Sequence, residues 1–403
     1  MVYMYIYAFF MLIGLLLYIR KHTDQYIAQI IIGYYSLIAV ISIVGAKIGV
    51  ISTQDVRLWP YMLILFSFFT LIAPFGRRSF SPEKTDIKVT SFFIKFVLIL
   101  VIFSNLYSIY KLAPQVWKLY VSNAWAANRL LVYAGENLGA VSSNRLINMI
   151  VNLGSYFLIP AIILYFYLLS EQEMPKIRKI LIISILASSL VSAAINSSRG
   201  TLFNRVALII CIYIFFARKI DDKHKKQFTI LMFSIGGLFV AYSLIVTMSR
   251  FNNRYYGVNP ELDSIIEYYG MAPVVFSSKV AALKEFAHGK YAFDYLLGSN
   301  FSVSDIGGTW GSSFFTYLGW MYIDWGFIGV VIMTIIIGVF AHVLTTQKRY
   351  PMSVLYPIFF IVDFIIKGAL VIGRNYIYQL IGFFLVEVFI IATEKVYIRI
   401  KVN

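Results

Sequence analysis

Long apolar runs separated by short polar joints are the dominant pattern of this chain. Eleven runs have about the 17 to 25 residues that an α-helix needs to cross a bilayer. They cover about 2–19, 27–50, 59–75, 89–112, 146–169, 179–195, 201–217, 228–248, 317–343, 352–372 and 376–394. The pattern predicts an all-α polytopic membrane protein, with about eleven transmembrane helices in a single integral-membrane domain over 1–403.

The composition supports this interpretation. The chain is 60% hydrophobic and 13% charged, whereas charged residues make up about a quarter of a soluble globular protein. So much apolar surface cannot be hidden from water, and lipid is therefore the expected solvent. The single cysteine, Cys211, lies within an apolar run, so neither a disulfide framework nor a cysteine metal site is expected.

The basic residues predict the orientation of the spans. Six joints contain 19 of the 35 Lys and Arg residues, at 18–22, 76–88, 175–179, 217–226, 347–350 and 394–403. Because basic joints stay in the cytoplasm, the N-terminus is expected outside and the C-terminus inside, as an odd number of spans requires. The same rule explains much of the net charge of +16, so nucleic acid is not implied.

Two outer loops, 113–145 and 249–316, are expected to be long. The Trp, Tyr and Leu positions of the first predict an interfacial helix before Gly135. In the second, which lies between spans eight and nine, Pro260 is expected to begin a short helix that Gly270 ends. Another short helix is expected to follow from about 272, ending at Gly289.

Several arginines lie on the predicted outer side, where cations are disfavoured. Arg199 lies in the turn INSSRG, Arg374 lies in the turn GRNY, and Arg205 follows inside an apolar run. Arg250 and Arg254 are four residues apart, so a helix would place them on one face. Guanidinium groups bind phosphates through paired hydrogen bonds. We therefore expect Arg199, Arg250, Arg254 and Arg374 to bind a diphosphate, with Arg205 in support; snorkelling to lipid headgroups is the alternative for each.

Other outer residues are candidates for proton transfer or positive charge. Asp305 is the first candidate for a general base because a glycine loop follows it, and His288 and Glu267 come next. Each of the three is also a plausible solvated loop residue. Further outer cations include Arg57, Lys279, Lys284 and Lys290. No metal-binding or nucleotide-binding motif is found, so no cofactor is expected.

The stretch from 304 to 331 combines glycines with aromatic rings. Gly307 and Gly308 give a loop whose backbone N–H groups can approach a ligand closely. Tyr317, Trp320 and Tyr322 follow at the entry to span nine. Their rings suggest a platform on which sugar rings stack, or else an aromatic belt at the membrane interface.

Two of these segments resemble the Wzy-type polymerases of O-antigen and capsule repeat units. They are SSRG at 197–200 and GGTWGSSFFTYLGWMYIDWGFIG at 307–329, which is similar to the glycine-rich loop and aromatic helix start of that family. The number of spans and the long outer loop also fit, so the resemblance covers most of the chain.

The resemblance implies a metal-independent, inverting glycosyltransferase with a GT-C-like fold in the bacterial plasma (inner) membrane. Such an enzyme moves a growing glycan from undecaprenyl diphosphate onto the non-reducing end of an incoming lipid-linked repeat, facing the periplasm or cell exterior. Its partners would be that lipid-linked oligosaccharide, membrane lipids and a chain-length regulator of the Wzz type. An O-antigen ligase and a flippase for lipid-linked oligosaccharide are the alternatives; a flippase would favour paired internal repeats, which we do not find.

Overall fold

The computed structural model describes residues 1–21, 25–77, 80–122, 124–125, 127–128, 145–196, 200–251, 260–297, 306, 316–370 and 376–402. Within these ranges the regular structure consists of helices and short 3-10 turns. No strand is present there, although isolated bridges occur, such as the one between Thr85 and Tyr350. The prediction of an all-helical protein is confirmed for this part of the chain.

The helices follow the apolar runs closely. They are α1 Val2–Lys21, α2 Tyr26–Lys47, α3 Leu58–Ile72, α4 Ser91–Ser122, α5 Arg145–Tyr156, α6 Leu158–Ser170, α7 Pro175–Ile195, α8 Gly200–Phe216, α9 Asp222–Phe251, α10 Pro260–Ser278, α11 Lys290–Leu297, α12 Leu318–Thr345, α13 Met352–Gly368 and α14 Tyr376–Val402. Each of the eleven predicted runs therefore contains helix.

The chain is a multi-pass membrane protein. Seven helical stretches are long and apolar enough to cross a bilayer, namely α1, α2, α3 with its 3-10 extension to Gly76, α4, α7, α12 and most of α14. The pair α5 and α6, bent by 54°, makes an eighth if it is one span. α8 is apolar but has only 17 residues. The count of eleven spans and their orientation remain predictions.

Two compact units are formed from non-contiguous segments. Unit 1 contains 1–81, 255–348 and 361–381, and unit 2 contains 82–254, 349–360 and 382–403. Large buried rings fill the interior of unit 1: the rings of Tyr7 and Tyr61 stack at 5.1 Å, and Tyr35 packs on Phe68 at 4.3 Å. The Tyr35 hydroxyl donates a hydrogen bond to the Ile365 carbonyl, at 2.8 Å. The Tyr35 hydroxyl is thus paired inside this apolar bundle, as a lipid environment favours.

α12 folds back on itself at Gly326. The Ser67 hydroxyl lies 2.7 Å from the Thr334 hydroxyl, and the Tyr317 hydroxyl lies close to the same serine. In a straight helix residues 317 and 334 would be about 25 Å apart along the axis. Gly326 interrupts the helix with φ 64° and ψ −160°, so the arms 318–325 and 327–345 form a hairpin. Only the second arm is long enough to cross a membrane.

The backbone that enters this hairpin is paired within unit 1. The N–H groups of Thr316 and Tyr317 donate to the carbonyls of Leu370 and Gly368, at 3.0 and 2.8 Å. A Cβ atom on Gly368 would lie only 2.5 Å from that of Tyr317, so glycine is needed for this close approach. The pairing satisfies backbone groups that helix geometry leaves open.

α10 departs from the prediction of two short helices in the second outer loop. It continues through Gly270 and Pro273, and between its end and Gly289 the described regular structure is a 3-10 turn, Val280–Ala282. Gly270 is a packing position rather than a helix end, because a Cβ atom there would lie 3.0 Å from the backbone of Ser42 in α2. The Ser42 hydroxyl donates to the Gly270 carbonyl at 2.6 Å. Tertiary packing therefore overrides the local preference of glycine.

Unit 2 is built around α4 and α7. The Ser104 hydroxyl of α4 donates to the Val151 carbonyl of α5 at 2.8 Å, and Gly154 allows this close approach. The Ser188 hydroxyl of α7 donates to the Asn105 side chain of α4 at 2.9 Å. Such hydrogen bonds between spans contribute about 0.6 kcal/mol each.

α4 runs ten residues beyond its predicted end, through Pro114 to Ser122. The first part of the predicted outer loop 113–145 is therefore a continuation of a span. Val116 and Leu119 in this extension pack against a buried cluster that includes Trp125, which explains why the helix continues. Residues 117–122 of the predicted interfacial helix belong to α4, and its residues 123, 126 and 129–135 lie outside the described part of the chain.

We expect Gly326→Ala to lower the free energy of unfolding by about 1–3 kcal/mol or more, since its dihedral angles suit glycine almost alone. The new methyl group would also lie 2.7 Å from the Phe286 ring. Thermal unfolding of the purified protein in detergent measures the effect. Gly33→Ala, within α2, is the control. The nearest heavy atom to a Cβ there, on the Leu15 side chain, is 4.0 Å away. Equal stability of both variants would contradict the hairpin.

Candidate functional site

A cavity of about 940 Å³ lies in unit 1, where α2 ends and α3 begins. The basic joints Arg20–Lys21 and Arg77 lie at the other ends of these two helices. The cavity is lined by Val50, Ile51, Ser52, Gln54, Asp55, Glu267, Met271, Val274, Val275, Ser278, Lys279, Ala282, Leu283, Lys284, Glu285 and Ile306. Its size is in the range of ligand sites, and it is large enough for several sugar rings.

Charges of both signs line this cavity. Asp55, Glu267 and Glu285 contribute carboxylates, and Lys279 and Lys284 contribute ammonium groups. Among the residues that the structure describes, neither lysine forms an ion pair. Both are exposed, so their charge is available to an anionic ligand. The carboxylates can accept hydrogen bonds from hydroxyl groups or take up a proton.

α10 supplies Glu267 and is fixed against α2. Pro260 begins α10, where the missing N–H of proline has no helical acceptor to lose. The close contacts of Ile266 with Gly45 and of Gly270 with Ser42 then hold the helix in place. Glu267 lies between these two contact points, so its backbone position is defined from both sides.

The 48–57 loop forms the opposite wall. The N–H groups of Val50 and Ile51 both donate to the Gly45 carbonyl, at 2.9 and 3.0 Å. At the other end the Ser277 hydroxyl accepts from the Arg57 N–H at 3.0 Å and donates to the Arg57 carbonyl at 2.8 Å. The loop is thereby fastened to α2 and to α10, and it presents Asp55 in a left-handed conformation with φ 60°.

The tip of the hairpin is joined to the segment that follows the cavity. The N–H groups of Ala287 and His288 donate to the carbonyls of Ile323 and Asp324, at 2.8 and 2.9 Å. The buried Asp324 carboxylate also accepts from the N–H groups of Tyr291 and Ala292, at 3.0 and 2.9 Å. These amides belong to the first turn of α11, so Asp324 acts as a cap from a distant part of the chain.

Of the predicted proton-transfer residues, one lines the cavity. Glu267 does so directly. His288 has an exposed side chain and a left-handed backbone with φ 51°, and it is not a lining residue. Asp305 lies outside the described residues, as do Gly307 and Gly308.

The three predicted sugar-stacking rings are buried in unit 1 and do not line the cavity. Tyr322 is packed among Trp59, Phe276 and Phe286, with ring centroids 5.7 to 5.9 Å away. Tyr317 is fully buried, and Trp320 retains only 8% exposure. They support the hairpin behind the cavity, and a role in sugar binding remains a prediction.

The predicted diphosphate ligands are mostly beyond the described part of the chain. Arg199, Arg254 and Arg374 lie outside it, and Arg250 lies in the last turn of α9 without a described side chain. Arg205 is described: it is half-buried and lies in the second turn of α8. The arrangement of the five arginines therefore remains a prediction.

Four charged lining residues, Asp55, Lys279, Lys284 and Glu285, were not selected as site residues from the sequence. Lys279 and Lys284 were recognised as outer cations, and their position after α10 was the available signal. Asp55 gave no signal, because its place in the cavity depends on how the 48–57 loop is fastened. No group of three His, Cys, Asp or Glu residues that could hold a metal ion is found in the described ranges.

Comparisons of the chain with protein-family models, with curated proteins and with solved structures gave no match. The resemblance to Wzy-type polymerases therefore rests on the motifs at 197–200 and 307–329 and on the predicted pattern of spans.

We expect Asp324→Ala to lower the free energy of unfolding by about 2–5 kcal/mol, because two buried N–H groups would lose a charged acceptor. Amide hydrogen exchange at Tyr291 and Ala292 should become faster. Glu285→Ala, at an exposed position, is the control and should change stability by less than about 0.5 kcal/mol. Unchanged exchange in Asp324→Ala would show that the carboxylate does not cap α11.

Proposed function

We propose that this protein polymerises lipid-linked oligosaccharide repeat units at the outer face of a bacterial plasma membrane. In this proposal the chain has eleven spans and a GT-C-like architecture, with its N-terminus outside and its C-terminus in the cytoplasm. The growing glycan is transferred from undecaprenyl diphosphate to the non-reducing end of an incoming lipid-linked repeat. A chain-length regulator of the Wzz type is a further proposed partner.

The observation that carries the proposal is the cavity of unit 1. It combines a volume suited to sugar rings with Glu267 and with Lys279 and Lys284, which form no ion pair within the described ranges. It lies at the ends of α2 and α3 that the positive-inside rule assigns to the outside. A saccharide bearing a phosphate group matches this combination of size, hydrogen-bond acceptors and positive charge.

The proposed reaction is an inverting displacement at the anomeric carbon of the donor. A hydroxyl oxygen of the acceptor sugar forms the new bond to that carbon. The bond between the carbon and the diphosphate oxygen breaks, and its electron pair leaves with the diphosphate. Glu267 takes the proton of the attacking hydroxyl as general base. Lys279 and Lys284, together with the predicted arginines, stabilise the charge that develops on the leaving group.

Purified full-length protein and a single lipid-linked repeat unit provide the direct test. Longer glycan on the lipid is the expected result, without any other protein present. Unchanged substrate would contradict polymerisation, and movement of intact substrate across the membrane of a vesicle would favour a flippase. Transfer to lipid A core, without growth on the polyprenyl lipid, would favour a ligase.

In this assay we expect Glu267→Gln to reduce the rate of transfer by about 10²- to 10⁴-fold, the usual contribution of a general base. The double variant Lys279→Ala/Lys284→Ala should mainly raise the KM for the lipid-linked donor, because two positive charges would be lost from the cavity. Glu171→Gln and Lys290→Ala are matched controls at exposed positions that do not line the cavity. Full activity of Glu267→Gln would remove Glu267 from the mechanism.

Arg199 is the arginine to change first, because the sequence predicts it in an outer turn, where cations are disfavoured. We expect Arg199→Ala to abolish polymerisation in cells while the protein still reaches the membrane, since diphosphate binding would be lost. Cells should then contain single repeat units on their lipid. A normal ladder of long glycans would exclude a catalytic role for Arg199.

A further inference from the structure

Glu387 is an acidic residue in the middle of an apolar helix. It is the one charged residue between positions 376 and 393 of the sequence, all within α14. The stretch Ile377–Arg399 of this helix is long and apolar enough to cross a bilayer. At 1.5 Å per residue, Glu387 lies about 15 Å from the start of this stretch and about 18 Å from its end. Its carboxyl group is thus near the middle of the span, where ionisable residues are costly and commonly functional.

Apolar side chains flank Glu387 along its own helix. Phe383, one turn earlier, packs on the rings of Tyr356 and Phe360 of α13, with centroids 5.2 and 4.4 Å away. Ile390, three residues later, is fully buried. Residues three and four apart share a face of a helix. Glu387 therefore lies on the face of α14 that packs against α13.

The Glu387 carboxyl group lacks the partners that an ionised carboxylate needs. Its Oε2 atom is shielded from solvent and has no hydrogen-bond donor among the described residues. No Lys, Arg or His in the described ranges forms an ion pair with it. The charge that acts on it is that of Glu394, which has the same sign.

The helices packed against this part of α14 present rings rather than cations. α13 and α5 contribute the titratable side chains Tyr356 and Tyr156, neither of which carries positive charge. The other ring contacts are made through Phe389, with Phe93, Phe96 and Phe157. The protonated, neutral form of Glu387 fits these surroundings, because an unpaired carboxylate away from water is strongly disfavoured.

Glu394, two turns further along α14, has the opposite environment. One of its carboxylate oxygens accepts from the Ser353 N–H at 3.1 Å, and the other accepts from the Ser353 hydroxyl at 2.6 Å. The Ser353 N–H belongs to the first turn of α13, where backbone donors have no acceptor within the helix. These donors favour the ionised form of Glu394. The same helix thus carries one paired carboxylate and one unpaired carboxyl group.

We propose that Glu387 is a proton-binding site within the membrane and that release of its proton loosens the packing of α14 against α13. The neutral acid is stable where it lies, whereas the carboxylate needs water or a cation that the packed helices do not supply. Phe384 and Val388, which precede and follow it on α14, are exposed, so the site is at the edge of the bundle. The proposal does not depend on the reaction proposed for unit 1.

The proton site can be tested with dicyclohexylcarbodiimide, a carbodiimide that dissolves in lipid, and purified full-length protein in phosphatidylcholine nanodiscs. A protonated carboxyl group adds to this reagent: its oxygen bonds to the central carbon, and its proton moves to a nitrogen. Mass spectrometry of peptides from α14 should show the adduct on Glu387, at a rate that falls as the pH rises. Glu394 is the matched control and should react at least about tenfold more slowly, because it is ionised and paired.

Equal labelling of Glu387 and Glu394, or no adduct on Glu387 at any pH, would overturn the proton site. Replacing choline chloride by sodium chloride should leave the labelling rate unchanged. Protection by sodium would instead assign the carboxyl group to a metal cation and would also overturn the proposal. These measurements use the wild-type protein, so they do not depend on whether a variant folds.

The pH dependence of thermal unfolding tests the loosening of α14. The folded protein binds this proton more tightly than the unfolded chain does. The stability due to Glu387 is therefore complete below about pH 4.3, where a free glutamate keeps its proton, and is lost as the pH rises above that value. Glu387→Gln keeps the shape of the neutral acid and cannot lose a proton. The Tm of the wild type should therefore fall relative to that of Glu387→Gln as the pH rises.

Glu394→Gln is the control for this measurement. Because Glu394 stabilises the protein when it is ionised, the Tm of the wild type should rise relative to that of Glu394→Gln over the same range. A constant difference in Tm between the wild type and Glu387→Gln from low to high pH would overturn the loosening of α14.

Discussion

Backbone N–H and C=O groups inside a hydrocarbon environment must find partners within the protein, and this constraint governs unit 1. α12 breaks at Gly326, and two sets of backbone hydrogen bonds hold the arm that precedes the break. Thr316 and Tyr317 pair with the end of α13, while residues 287 and 288 pair with the tip of the hairpin. Asp324 satisfies two more amides at the start of α11. The cavity wall formed by α10 and the residues after it depends on this pairing.

The constraint also explains the succession of residues from 322 to 326. Tyr322 fills the aromatic cluster behind the cavity, Asp324 caps α11, and Gly326 supplies a backbone conformation that suits glycine almost alone. Tyr322, Asp324 and Gly326 thus each support the fold, and the sugar platform that the sequence suggested remains a prediction. Glu267, Lys279 and Lys284 are charged residues that line the cavity of unit 1.

Hydrophobic periodicity was sufficient to locate the helices, because the length and apolarity of each run are local properties. It failed where a distant contact decides the outcome. Gly270 continues a helix because Ser42 packs against it, and α4 continues past Pro114 because Trp125 covers it. In the site, Glu267 could be selected from its chemistry and position. Asp55 could not, since only the fastening of its loop to Gly45 and Ser277 places it there.

The pairing around the hairpin also has a consequence for the order of folding during synthesis. The amides of Tyr291 and Ala292 emerge from the ribosome before Asp324, so their acceptor arrives within the next 33 or so residues. The amides of Thr316 and Tyr317, in contrast, must wait for the carbonyls of Gly368 and Leu370. A nascent chain that ends after α12 therefore lacks the acceptors of these two amides, which the end of α13 and Leu370 supply.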